Sequence, residues 1–220
     1  LHPPAKGPIE PVGDCECSGV QWAFNSGNNG DSAVSKVQIK PVRPVFPSPA
    51  GLVTSVDAEG RPNIITLGEI FNISIREPVI VGIAIAKPRY SHALISASKE
   101  FVVNLPTADM VATVDHCGMV SGRNVDKFAA YGLTALPAAE VAAPLIAECP
   151  VNIECRVLSV QEIGDHDLFA GEVVAVHVDE DGVTPDGTVS TSSVDPLCFM
   201  NWEYWTTGQP LGRIGFTRRE

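Results

Sequence analysis

In several segments beyond residue 50 apolar and polar positions alternate with the two-residue period of half-buried strands. Leu52 to Val56 alternates, Asp57-Ala58-Glu59-Gly60 supplies a turn, and Asn63 to Phe71 is expected to return as the second strand of a hairpin. Val79 to Ala86 is an unbroken run rich in β-branched residues, which predicts a strand buried on both faces. Glu100 to Leu105 is a further apolar strand. Val151 to Val157 predicts a strand with Val151, Ile153, Cys155 and Val157 inward and Asn152, Glu154 and Arg156 on a wet face. Gly164-Asp165-His166-Asp167 then turns the chain into a partner strand, Leu168 to Val178. Short helices punctuate this pattern. One is expected to start with Ser91 as N-cap and to bury Leu94 and Ile95. A second, opened by Thr107, carries Met110, Val111 and Val114 on one face. A third has Asn124 as N-cap, Val125, Phe128 and Ala129 as its buried stripe, and Gly132 at its end, leaving Asp126 and Lys127 off the stripe.

Before this core, residues 1 to 49 hold eight of the 18 prolines, and Asn25 to Ser32 is a run of turn formers without periodicity. The boundary is expected near residue 46, with an extension over 1–46 and one domain over 47–220. Trp22 and Phe24 either pin the extension to a surface or belong to a mobile arm. At the other end, Phe199, Trp202, Tyr204 and Trp205 cluster ahead of a glycine-rich tail, as a lid, an interface, a stacking surface or a corner of the core.

Charge narrows the chemistry. The net charge of −11 argues against nucleic acid or an anionic membrane as a general partner. Between Glu140 and Asp186 eleven acids face a single base, Arg156, whereas Lys87, Arg89, Lys99, Arg123 and Lys127 gather in the middle of the chain. In Lys87-Pro88-Arg89-Tyr90-Ser91 a buried strand runs through two cations into a helix start. An anion at that turn would meet free backbone N–H groups, the positive end of the helix dipole and both side chains. The alternative is a strand–loop–helix with two solvated charges. Gly68 marks either a close approach of another group or a bulge. Lys127 is either solvated or a further cation toward the same anion, and His166 between two aspartates is ordinarily a solvated tip residue. Six cysteines lack a disulfide or zinc spacing: Cys149 and Cys155 are expected in one strand about 20 Å apart, and Cys15-x-Cys17 has no second pair. Free thiols, and no stretch with the character of a membrane span or signal peptide, are the expectation for a reducing cytoplasm.

Taken in order, G-R-P-N-I-I-T-L, K-P-R-Y-S, F-V-V-N-L-P, S-G-R-N-V-D-K-F, P-L-I-A-E-C, I-E-C-R-V, G-D-H-D-L-F-A-G-E-V and G-Q-P-L-G-R-I-G-F resemble the flavin reductase-like proteins of the flavoredoxin type. The resemblance covers about Pro47 to Phe216. It implies a mainly β fold with short helices, an FMN-binding split β-barrel, and a homodimer with FMN near the subunit interface. It implies that Asn63, Ile65, Thr66, Leu67 and Gly68 line the isoalloxazine and ribityl side, and that Lys87, Arg89, Tyr90 and Ser91 hold the phosphate. Ser121 and Lys127 would add flavin contacts, and His166 would lie near the nicotinamide side. The implied activity is electron transfer from NADH or NADPH through FMN to free flavin, oxygen or a protein acceptor. A flavoredoxin-like electron carrier without its own NAD(P)H site is the alternative. Two departures stand out: the N-terminal extension, and Phe71 to Pro78 in place of a D-P-P-like turn.

Overall fold

The computed structural model describes residues 35–43, 45–191, 193–212 and 214–217. The chain divides into two units, Leu1–Pro41 and Val42–Glu220. In the first, residues 35–41 are described and have no helix or strand. Cys15, Cys17, Trp22, Phe24 and the Asn25 to Ser32 run lie outside the described residues.

The strands and helices of the second unit follow in the order β1 (Ser48–Pro49), β2 (Gly51–Val56), β3 (Pro62–Leu67), β4 (Ile70–Ser74), β5 (Ile80–Ala86), α1 (Tyr90–Ser98), β6 (Glu100–Leu105), α2 (Val111–Met119), α3 (Lys127–Tyr131), β7 (Ala135–Leu136), β8 (Leu145–Ile146), β9 (Val151–Ile163), β10 (His166–Val178), β11 (Leu197–Met200) and β12 (Glu203–Thr206). Seven strands form one antiparallel sheet in the order β3-β2-β6-β9-β10-β5-β4. The sheet curls on itself, because Val53 and Ile65 from one end share a buried cluster with Ile83, Ile85 and Phe169 from the other. A smaller sheet, β1-β11-β12, lies beside it.

The expected strand from Asn63 to Phe71 is two strands. Leu67 ends β3 opposite Gly51, and after Gly68 and Glu69 the chain enters β4, which pairs with β5 at the opposite edge of the sheet. A Cβ on Gly68 would lie 2.6 Å from Arg43 Nη2 and 3.2 Å from Phe199, so the glycine marks a close approach.

The wet face expected of β9 is covered. Asn152 and Glu154 are buried, and only Arg156 of the three expected outward residues is exposed. The segment 138–146 lies over them and is held by polar groups. Glu154 accepts from the N–H groups of Ala139 (2.8 Å), Glu140 (2.7 Å) and Val141 (3.1 Å), and its Oε1 lies 2.6 Å from His177 Nε2. Asn104 Oδ1 accepts from Ile146 N–H at 3.0 Å and from Asn152 Nδ2 at 2.8 Å. Alternation thus has a polar row that another piece of chain satisfies.

Three helix details differ from expectation. Arg89, not Ser91, is the N-cap of α1; Ser91 sits inside the first turn, buried, with its hydroxyl accepting from Asn63 Nδ2 at 2.7 Å. Asp126, not Asn124, caps α3, its carboxylate accepting from Ala129 N–H at 3.2 Å. The buried residues of α3 are Lys127 and Phe128, while Ala129 is exposed; in α2 they are Val114 and Cys117, with Val111 exposed. Cys149 precedes β9 and does not share its strand, so the strand-length argument against its pairing falls; Cys117, Cys149, Cys155 and Cys198 are nonetheless free. Among the described residues no helix is long and apolar enough to cross a membrane.

Candidate functional site

Where β3, β5, the N-terminus of α1 and the C-terminus of α2 meet, the chain leaves a two-lobed cleft. The larger lobe has a volume of about 750 Å³ and the smaller about 500 Å³, and Ile65, Ala86, Arg89, Gly118 and Met119 line both. These volumes suit a small-molecule ligand.

The smaller lobe is cationic. Among the described residues Arg89, Arg123 and Lys127 line it and no carboxylate does, with Asn63, Tyr90, Ser91, Ser121 and Gly122 also in its wall. The α1 N-terminus reaches it because β5 ends in a tight turn, Arg89 N–H donating to Ala86 C=O at 3.0 Å, which aims the first helical turn at the cleft. Arg123 is held over the Tyr90 ring, 4.8 Å from its centroid.

Lys127 is 5% exposed, and Nζ donates to Ile64 C=O at 2.7 Å and Cys117 C=O at 2.6 Å. An ammonium has three donors, and the third has no protein acceptor among the described residues. Burial foremost pushes the Lys127 pKa below its usual value, and the nearby Arg89 charge adds to this. The Cys117 thiol is itself pushed up to about 11 by burial, so it is a protonated, inert neighbour.

Asn63 is 5% exposed, and its Oδ1 has no hydrogen-bond partner among the described residues. The backbone of Gly122 closes against it: a Cβ there would lie 1.7 Å from Asn63 Oδ1. A buried acceptor without a donor, beside three cations, fits a ligand that carries both an anionic group and hydroxyls.

The larger lobe is lined on one side by Ile65, Thr66 and Leu67 of β3, by Gly68 just after it and by Ala84 and Ala86 of β5, and on the other by Phe199, Trp202 and Tyr204. Thr66 Oγ1 donates to Val114 C=O at 2.5 Å, tying β3 to α2. Across from it, a Cβ on Gly118 would lie 3.3 Å from Thr66 Cβ. Small side chains and bare backbone leave a slot that suits a flat ring. His166 lines this lobe from the first residue of β10, opposite Ala86, with Nδ1 2.9 Å from Asp165 Oδ1. That contact holds the Asp165 carboxyl below its usual value. Tyr204 donates to Asp115 at 3.2 Å, and burial foremost pushes its phenol up to about 12.

Of the residues expected at the site, Asn63, Ile65, Thr66, Leu67, Gly68, Arg89, Tyr90, Ser91, Ser121, Lys127 and His166 line the cleft. Lys87 lines neither lobe. Its ammonium is paired with Glu162 and lies 3.7 Å from Asp167. Two cations of the turn after β5, Lys87 and Arg89, thus serve different surroundings. Arg123 was one of the clustered cations, yet only the fold of residues 120–126 brings it beside Tyr90. Arg43, which pairs with Glu69 at 2.6 Å and borders the larger lobe, had no signal in the sequence.

The Flavin reductase like domain model matches residues 43–208. Flavoredoxin of Desulfovibrio vulgaris (Miyazaki F) superposes with a TM-score of 0.77 at 30% identity, covering 83% of this chain and 98% of that one. A flavin reductase with a split barrel domain from Shewanella frigidimarina shares the fold, with a TM-score of 0.70 at 21% identity over 76% of this chain and 85% of that one. In sequence, the NADH:riboflavin 5'-phosphate oxidoreductase of Streptomyces pristinaespiralis is 31% identical over 139 residues, 63% of this chain and 75% of that one.

Proposed function

The chain belongs to the flavin reductase-like family and has its split β-barrel fold, and from that premise we propose that it is an FMN-dependent oxidoreductase. In this reading it takes electrons from NADH or NADPH and passes them, through FMN, to free flavin, oxygen or a protein acceptor. The observation that carries it is the cleft itself: a carboxylate-free lobe with Arg89, Arg123, Lys127 and the unpartnered Asn63 Oδ1, opening into a slot of small residues. FMN has a phosphate and ribityl hydroxyls for the first and a flat ring for the second.

Bound FMN supplies the hydride and electron chemistry, so the chain needs no nucleophile of its own. Arg89, Arg123, Lys127, Ser121, Tyr90 and Ser91 hold the phosphate end, Asn63 Oδ1 accepts from a hydroxyl, and Ile65, Thr66, Leu67 and Gly68 lie along the ring. His166, fixed by Asp165, orients the nicotinamide. We take the functional form to be a homodimer. Phe71, Ile73 and Ile75 are 45%, 47% and 81% exposed on and just after the edge strand β4, an apolar strip suited to a second copy. The free thiols of the described cysteines suit a reducing compartment, the cytoplasm in our reading.

The similarity to flavoredoxin favours a second reading, a flavin electron carrier reduced by a protein donor instead of a pyridine nucleotide. Anaerobic mixing of the FMN-loaded protein with NADH and NADPH separates the two. Rapid bleaching of the flavin is expected for the oxidoreductase. An unbleached flavin that dithionite still reduces would leave the carrier.

A further inference from the structure

The β11–β12 hairpin sets an aromatic wall across the larger lobe from β3. Its two-residue turn, Asn201-Trp202, has both residues at positive φ, 45° and 71°. In such turns the second position ordinarily falls to glycine, because a side chain there is strained. Trp202 holds that position while 77% exposed, so neither backbone preference nor burial accounts for the indole. Its location does. Trp202 lines the lobe together with Phe199, the two rings 6.3 Å apart and nearly perpendicular at 84°. The Arg43 guanidinium lies 4.8 Å from the Phe199 centroid and 5.9 Å from that of Trp202, and its pairing with Glu69 fixes it against the start of β4. The indole is therefore braced by Phe199 and Arg43 while it lines the cleft.

The small-residue side of the lobe takes the cofactor ring in the reading above, on which this inference rests. We infer that Trp202, braced by Arg43 and Phe199, is the stacking platform of a second subsite that takes a planar heteroaromatic ring, that of the second reactant. An electron-rich indole face suits an electron-poor heteroaromatic ring. The nicotinamide of a pyridine nucleotide and the ring of a free flavin share this chemistry. Arg43 is a positioning residue, acting through the indole.

The test uses oxidised, FMN-loaded protein, in which NAD⁺, NADP⁺ and riboflavin bind without reaction. Calorimetric titration with each probe is compared among wild type, Trp202→Gly and Trp202→Phe. The glycine variant relieves the backbone strain, so its melting temperature is expected to equal or exceed that of wild type, with FMN affinity unchanged. Affinity for the second ring is expected to fall about tenfold in Trp202→Gly, the scale of a lost aromatic stack, and to be largely retained in Trp202→Phe. A loss confined to NAD⁺ or NADP⁺ identifies the pyridine nucleotide as the occupant, and a loss confined to riboflavin identifies free flavin. Unchanged affinity for every probe in Trp202→Gly, or no binding of any probe to wild type, would overturn the subsite. Release of FMN by the glycine variant would also overturn it, placing Trp202 in the cofactor's own site. Failure of wild type to hold FMN at all would instead remove the functional reading beneath it.

Discussion

Gly122 packs so closely on Asn63 that it leaves no room for a side chain. With 1.7 Å between an added Cβ and Asn63 Oδ1, Gly122→Ala must displace either the carboxamide or the 120–126 loop. Overpacking of this kind costs about 1–3 kcal/mol. We expect Gly122→Ala to fold with a lowered melting temperature and weakened FMN binding; unchanged values of both would mean that the loop gives way freely. Lys87 and Arg89 provide a contrast two residues apart. Lys87→Ala is expected to change FMN affinity by less than about threefold, because it removes a largely exposed ion pair with Glu162 and no cleft contact. His166→Ala should leave FMN bound and slow its reduction by saturating NAD(P)H, by up to about a hundredfold if orientation is its role. An unchanged reduction rate would return His166 to an ordinary turn residue. These side chains were legible in the sequence only as types. The motif named Lys87 and Arg89 together, yet the turn after β5 turns one toward the acidic β9–β10 hairpin and the other into the cleft.

At the scale of elements, the strands were readable wherever periodicity was undisturbed, and two misreadings share a cause. β9 looked half-wet because Asn152 and Glu154 are polar, but segment 138–146 covers them with backbone donors, and a distant partner leaves no mark on local alternation. Lys127 was read as off the buried stripe for the same reason: the carbonyls that satisfy it belong to β3 and α2. The Glu154 device also sets a pH dependence. Burial would raise its carboxyl, but the Ala139 N–H, His177 and the Glu140 N–H outweigh this and hold it below its usual 4.5. A depressed folded-state pKa gives stability that is present above pH 4.5 and lost as pH falls through the lower folded value. Glu154→Gln should remove about 1.5–3 kcal/mol at neutral pH, the scale of hydrogen bonds to a buried charge. It should also flatten the acid limb of the stability curve. An equal acid limb in wild type and variant would show that other carboxylates set it.

For the whole molecule, most strands were legible in their periods and the split-barrel architecture came with the family resemblance, whereas the pairing of β4 with β5 was not legible, because Gly68 breaks the strand without changing the apolar pattern around it. The exposed strip on β4 belongs to this scale. Replacing Ile73 and Ile75 together by Asp is expected to shift sedimentation from dimer to monomer, and a monomeric wild type would remove the dimer from the account.

A phosphate site of Arg89, Arg123 and Lys127 joined to a flavin-ring slot must discriminate FMN from riboflavin, which differ only in that phosphate. Equilibrium titration of the ligand-free protein with both, for wild type and Arg89→Ala, tests it directly. Wild type should prefer FMN, and Arg89→Ala should lose about 10–100-fold in FMN affinity, one charge-assisted contact, while its riboflavin affinity stays the same. Equal affinities of wild type for FMN and riboflavin would contradict the account.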